Sequence, residues 1–111
     1  MIVSSKLIDN AATAAAFLML MGNEKRLVIV SHLLEGEMSV GAIAEKVELS
    51  QSALSQHLAK LRAMELVETR RDRQMIYYSC KSEAARALLH TLDDVFGDTT
   101  DAEPSLRRTG T

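Results

Sequence analysis

The sequence predicts a mainly α-helical fold carrying one small β-hairpin, and three observations predict it. Apolar residues recur at helical spacing over five separate stretches, most of them opened by a Ser or Asn of the kind that caps helices. Two short β-prone runs, Leu66–Arg71 and Met75–Ser79, are separated only by Asp72, Arg73 and Gln74, a normal hairpin connection. Aromatics are scarce among the 111 residues, with two Tyr, two Phe and no Trp. Leu, Val, Ile, Ala and Met therefore fill the core, which favours helices over a β-sandwich.

The first helix is expected from Asp9 to Met21, rich in Ala and Leu and stopped by Gly22. Asn23 caps a second, in which Leu27, Val30 and Leu34 form one stripe, and Gly36 supplies a left-handed residue after its end. Ser39 caps a short third helix with Val40, Ile43, Ala44 and Val47 facing inward. Glu48, Leu49 and Ser50 make a turn, and Ser50 or Ser52 caps a fourth helix reaching Met64. The hairpin follows, with Val67 and Thr69 alternating in its first strand. Ser82 then caps a final helix to Phe96, lined by Ala84, Ala85, Leu88, Leu92, Val95 and Phe96. Helix, tight turn, polar-faced helix and hairpin together define a winged helix-turn-helix. Residues 1–97 form this one domain; residues 98–111 are polar, hold the only Pro, and are expected to be disordered.

A chain of this length supports a single modest core. The single cysteine, Cys80, excludes an intrachain disulfide and suits a reducing cytoplasm. The Ala-rich stretch Ala11–Met21 is about half the length a bilayer requires, so no signal peptide and no membrane span is expected.

The net charge of −2 at first argues against nucleic acid, but its distribution does not. Residues 1–49 carry net −2 and residues 82–111 net −3. Residues 50–81 hold six basic and three acidic side chains, net +3. A confined basic patch matters more for DNA than the total.

In the fourth helix Leu54, Leu58 and Leu61 fall on one stripe at ~100° per residue and must face the core. The opposite face carries Ser52, Ser55, Gln56, Ala59 and Ala63. A merely solvated face would show Glu, Lys or Arg; short polar groups instead let a helix lie deep in a major groove. Gln56 is the expected main base reader, since Gln pairs in bidentate fashion with adenine. Ser52 and Ser55 assist it, while Ser50 and Gln51 lie at the helix start, where recognition helices meet bases or phosphates. Lys60 and Arg62 flank the face and suit phosphates. His57 falls towards the packed side, and reads either as a phosphate contact or as a packed histidine with a hydrogen-bond partner.

Arg70, Arg71 and Arg73 surround the hairpin tip. Arginines on a protruding ribbon suit a narrow, electronegative minor groove, and the alternative is a charged strand edge that resists aggregation. The terminal helices are more apolar than a monomer needs. Leu7, Ala11, Ala15, Leu18 and Met19, with Leu88, Leu92 and Phe96, would leave an apolar patch, so a twofold homodimer is expected.

Residues 49–63 (Leu-Ser-Gln-Ser-Ala-Leu-Ser-Gln-His-Leu-Ala-Lys-Leu-Arg-Ala), with Leu-Val-Glu-Thr-Arg-Arg, Ile-Tyr-Tyr-Ser and the earlier Asn-Glu-Lys-Arg-Leu (23–27), resemble the ArsR/SmtB family of bacterial winged-helix repressors. The resemblance spans roughly residues 10–98. The wing segment Thr-Arg-Arg-Asp-Arg-Gln-Met-Ile-Tyr-Tyr-Ser resembles one branch of the family especially, and that resemblance implies a homodimer that represses by binding double-stranded operators containing A/T, with no metal or other cofactor required. Arsenic-type members carry Cys-Val-Cys where this chain has Ser39, Val40 and Gly41. Zinc-type members use carboxylate and imidazole ligands at positions matching Ser82, Ala84, Val95 and Asp98, so three of the four ligands are absent. Persulfide sensors use two bridging cysteines, and only Cys80 is present. His32, His57 and His90 show no ligand spacing. A ligand- or redox-responsive sensor switched at the dimer interface remains the alternative, and a protein-interaction module a third. No Gly-rich phosphate loop or nucleophile–base pair suggests an enzyme.

Overall fold

The computed structural model describes residues 2–97, so Met1 and the expected tail at 98–111 lie outside the described residues. The elements are α1 (Ser5–Asp9), α2 (Ala11–Met21), α3 (Glu24–Glu35), β1 (Met38–Ser39), α4 (Val40–Val47), α5 (Gln51–Ala63), β2 (Glu68–Asp72), β3 (Met75–Ser79) and α6 (Glu83–Phe96). This is the expected winged helix-turn-helix, with two additions.

The first addition is α1. The N-terminal helix does not start at Asp9, because Asn10 breaks the path there. Its side-chain Nδ2 donates to the Lys6 carbonyl at 3.0 Å, and its backbone N–H also turns back to Lys6 and Leu7. A short amide that satisfies the backbone locally ends one helix and starts another. The second addition is β1, whose two residues are too few to show alternation. Met38 pairs with Tyr78 and Ser39 with Tyr77, giving a three-stranded antiparallel sheet in the order β1-β3-β2.

Five helices begin on a side chain that accepts a backbone N–H three residues on: Ser4 accepts from Leu7 at 3.2 Å, and four more follow the same pattern. Asn23 accepts from Arg26, Ser39 from Ala42, Ser50 from Ala53 and Ser82 from Ala85, at 3.0–3.2 Å. Each such cap contributes about 1 kcal/mol. Ser50, not Ser52, therefore caps α5. Gly36 follows α3 in extended backbone (φ 174°) and is not the left-handed residue expected there. That conformation occurs instead at Glu48 (φ 58°), which turns the chain from α4 towards α5.

On α3 the fully buried residues are Ile29, Val30 and Leu33, while Leu27 and Leu34 are only half-buried. The stripe is rotated from the expected one because α3 is central, packing on α2, α4 and α6 at once. Leu66 and Val67 are buried on the approach to the wing, so β2 starts at Glu68. Asp72 pairs with Met75, leaving a two-residue loop of Arg73 and Gln74 rather than three residues. Arg73 holds φ 61° at its first position, where hairpin loops require positive φ.

The core joins Met21, Ile29, Val30, Leu33, Ile43, Leu54, Leu58 and Leu61, with Tyr78 and Cys80 from the sheet side. No described polar or charged residue is buried in it. It anchors α5 by one face and leaves the opposite face in solvent.

Candidate nucleic-acid interface

The α4–turn–α5 unit positions the outward face of α5. Leu54, Leu58 and Leu61 are at most 2% exposed, so the rotation of α5 is fixed. Gln51, Ser52, Ser55, Gln56, Ala59, Lys60, Arg62 and Ala63 are all exposed as a consequence. The outward face is thus a strip of amide, hydroxyl and methyl groups, with Lys60 and Arg62 beside it. Ser50 sits at the helix start, where its Oγ accepts the Ala53 N–H, so it shapes the local backbone.

His57 occupies the half-buried flank of α5. Its Nδ1 lies 3.4 Å from Arg26 Nη1, and Arg26 Nε donates to the Leu20 carbonyl at 2.7 Å. Burial, followed by the charges of Arg26, Lys60 and Lys25, pushes the His57 pKa down. Its neighbours are those of the packed histidine. The fold also brings Lys25 to this flank, where its Nζ donates to the Val47 carbonyl at 3.1 Å. Lys25 and Arg26 are not among the residues that the sequence marks for the site. The run Asn-Glu-Lys-Arg-Leu is visible there, but not that its cations meet α5.

The wing arginines fall into two environments. Arg73 is exposed at the loop, and Arg71 Nε donates to the Arg73 carbonyl at 3.1 Å, bracing the tip. Arg70 lies in the middle of β2, opposite Tyr77. Its Nε and Nη2 donate to the two Glu37 carboxylate oxygens at 2.9 and 2.8 Å, and its guanidinium sits 4.8 Å from the Tyr77 ring centre. Those bonds hold the Glu37 carboxyl below its ordinary range. Sequence reasoning misses Glu37, which is 33 residues from Arg70.

Ser39 and Ser82, two of the positions that the resemblance matches to metal ligands, cap α4 and α6 through their hydroxyls. Asp98 lies outside the described residues. Among the described residues, no three His, Cys, Asp or Glu side chains gather as a metal site. Cys80 is 2% exposed, and burial pushes its thiol pKa up. No helix among the described residues is long and apolar enough to cross a membrane.

Residues 23–69, which hold the helix-turn-helix and the approach to the wing, match the family described as "Bacterial regulatory protein, arsR family". The chain is 58% identical over 94 residues to nodulation protein NolR of Rhizobium meliloti, covering 85% of this chain and 77% of that protein. It is 45% identical over 87 residues to the transcriptional activator HlyU of Vibrio cholerae, covering 78% of this chain and 81% of that one. Its fold is similar to the crystal structure of the transcriptional repressor BigR from Xylella fastidiosa, with a TM-score of 0.80 and 33% identity, covering 86% of this chain and 97% of that one. The protein is a winged-helix DNA-binding transcriptional regulator. It belongs to the ArsR family.

Proposed function

We propose that the protein is a cytoplasmic, homodimeric transcriptional repressor that reads A/T-containing operators without a bound metal. The observation that carries the DNA-reading part is the exposed, almost uncharged strip of Ser52, Ser55 and Gln56 on a helix whose rotation is fixed by three buried leucines. Gln51 joins it at the helix start, and Gln56 supplies the main base contact. Lys60 and Arg62 take phosphates, and His57 supports that flank through Arg26. Arg71 and Arg73 reach the minor groove from the wing tip, while Arg70 takes part from the middle of β2. Among the similar proteins BigR is named a repressor and HlyU an activator, and the repressor reading rests on resemblance alone.

Dimerisation is supported by the terminal helices. Leu7, Ile8, Leu18, Met19 and Phe96 are exposed, and a groove of about 560 Å³ runs between α3 and α6, with Leu27, Leu89, Leu92 and Phe96 among its lining. Apolar surface so arranged on both ends of the chain fits a twofold interface. The buried Cys80, its thiol disfavoured as thiolate, argues against a redox switch through this residue. No catalytic role is assigned.

Selection of bound sequences from random DNA tests the reading, since half-sites and their spacing emerge together. Gln56→Ala, titrated against the selected site, should cost about 1–3 kcal/mol and relax base preference. Unchanged affinity and preference would remove Gln56 as the main base reader.

A further inference from the structure

β2 is the least secured strand of the wing. β2 is an edge strand whose five residues are all exposed, and it bonds only to β3. β3 in turn is held to the body of the domain by two residue pairs with β1 and by Tyr78, which is buried in the core. Among the described residues, one side-chain link ties β2 to a segment outside the hairpin, and it is Glu37 to Arg70.

The register explains how this link forms. Arg70 stands opposite Tyr77, and Tyr77 stands opposite Ser39. Glu37 immediately precedes β1, and its carboxylate reaches the Arg70 guanidinium. Glu37 and Arg70 therefore close over the middle strand from its two sides, with the Tyr77 ring beneath the guanidinium. The pair is bidentate, which fixes orientation as well as distance. It is also electrically neutral, so Arg70 contributes little to the field that attracts phosphate.

We propose that Glu37 is a positioning residue for DNA binding: it clamps Arg70 over Tyr77, and this clamp sets the pose of the hairpin while Arg71 and Arg73 meet the DNA. The proposal rests on the DNA-binding reading above. It separates the three wing arginines into one that aims the wing and two that touch the ligand.

The test uses the full chain and a mixed-sequence DNA duplex, with Glu37→Gln, Arg70→Met and the double variant. Binding is measured across a salt series, and amide hydrogen exchange of the hairpin is measured without DNA. Each single variant should weaken binding several-fold, and the double variant should be no weaker than either. The slope of log affinity against log salt should stay at the wild-type value. Exchange at the hairpin amides should quicken in both singles.

Two results would overturn the clamp. In one, Glu37→Gln binds more tightly with a steeper salt slope, because a released Arg70 has gained a phosphate. In the other, Arg70→Met lowers the salt slope by about one, the signature of a lost phosphate contact. Unchanged hairpin exchange in both singles also overturns it. If the wild type binds no duplex even at low salt, the DNA reading fails and the functional half of the proposal fails with it. That case is recognised because the exchange difference between wild type and variants persists.

Discussion

Arg26 Nη1 and His57 Nδ1 lie 3.4 Å apart, so a cation at the start of α3 is bonded to the flank of α5. The contact requires a histidine nitrogen with a free lone pair, hence a neutral ring. The lowered pKa of His57 has the same sign, with burial as its largest cause and Arg26 next.

A pH dependence follows. The folded pKa lies below the ordinary value of 6.5, so the unfolded chain takes up this proton first as pH falls. The stability contributed by the neutral ring is complete above that ordinary value. It is lost as pH falls towards the depressed folded value, and changes no further below it. Thermal melts between about pH 5 and pH 8 should show this decline, flattened in His57→Gln, which keeps an acceptor but does not titrate.

Ser50 and Ser52 differ by two positions and should differ in kind. Ser50→Ala removes the α5 cap and should cost about 1 kcal/mol of stability in a denaturant titration. Ser52→Ala should leave stability within about 0.5 kcal/mol, as an exposed substitution does, and weaken operator binding instead. A matched loss of stability in both would contradict the separation of cap from reading face.

The exposed end of α2 offers a test of assembly. Met19 is 77% exposed, so Met19→Glu removes little from the monomer core. It places a charge in the apolar surface assigned to the twofold interface. Sedimentation should show a shift towards monomer with the helical circular dichroism retained, and operator affinity should fall with it. A dimer unchanged by the substitution would place the interface elsewhere.

Much of this architecture is legible in the sequence because its signals are local. Leu54, Leu58 and Leu61 repeat at the helical period, and the fold needs only to bury them for the reading face to be exposed. Asn23, Ser39 and Ser82 announce helix starts for the same reason, through bonds made within three residues. The misses are of other kinds. β1 is a strand only because β3 pairs with it, and two residues carry no period. The break at Asn10 is a side-chain bond to one carbonyl in a run that otherwise favours helix. The rotation of the α3 stripe depends on packing from several sides. Glu37 could not be linked to Arg70 without the register of a three-stranded sheet.

The loop at the wing tip carries a tension between folding and binding. Arg73 adopts φ 61°, a conformation that costs an L-residue about 1 kcal/mol and glycine almost nothing. Arg73→Gly should therefore raise the melting temperature or leave it unchanged, while weakening DNA binding and lowering its salt dependence. Stability screens would select that variant and binding screens would reject it. The tip is thus a position where improvement by one measure is damage by the other, and where a thermostabilised regulator would lose its grip on DNA first.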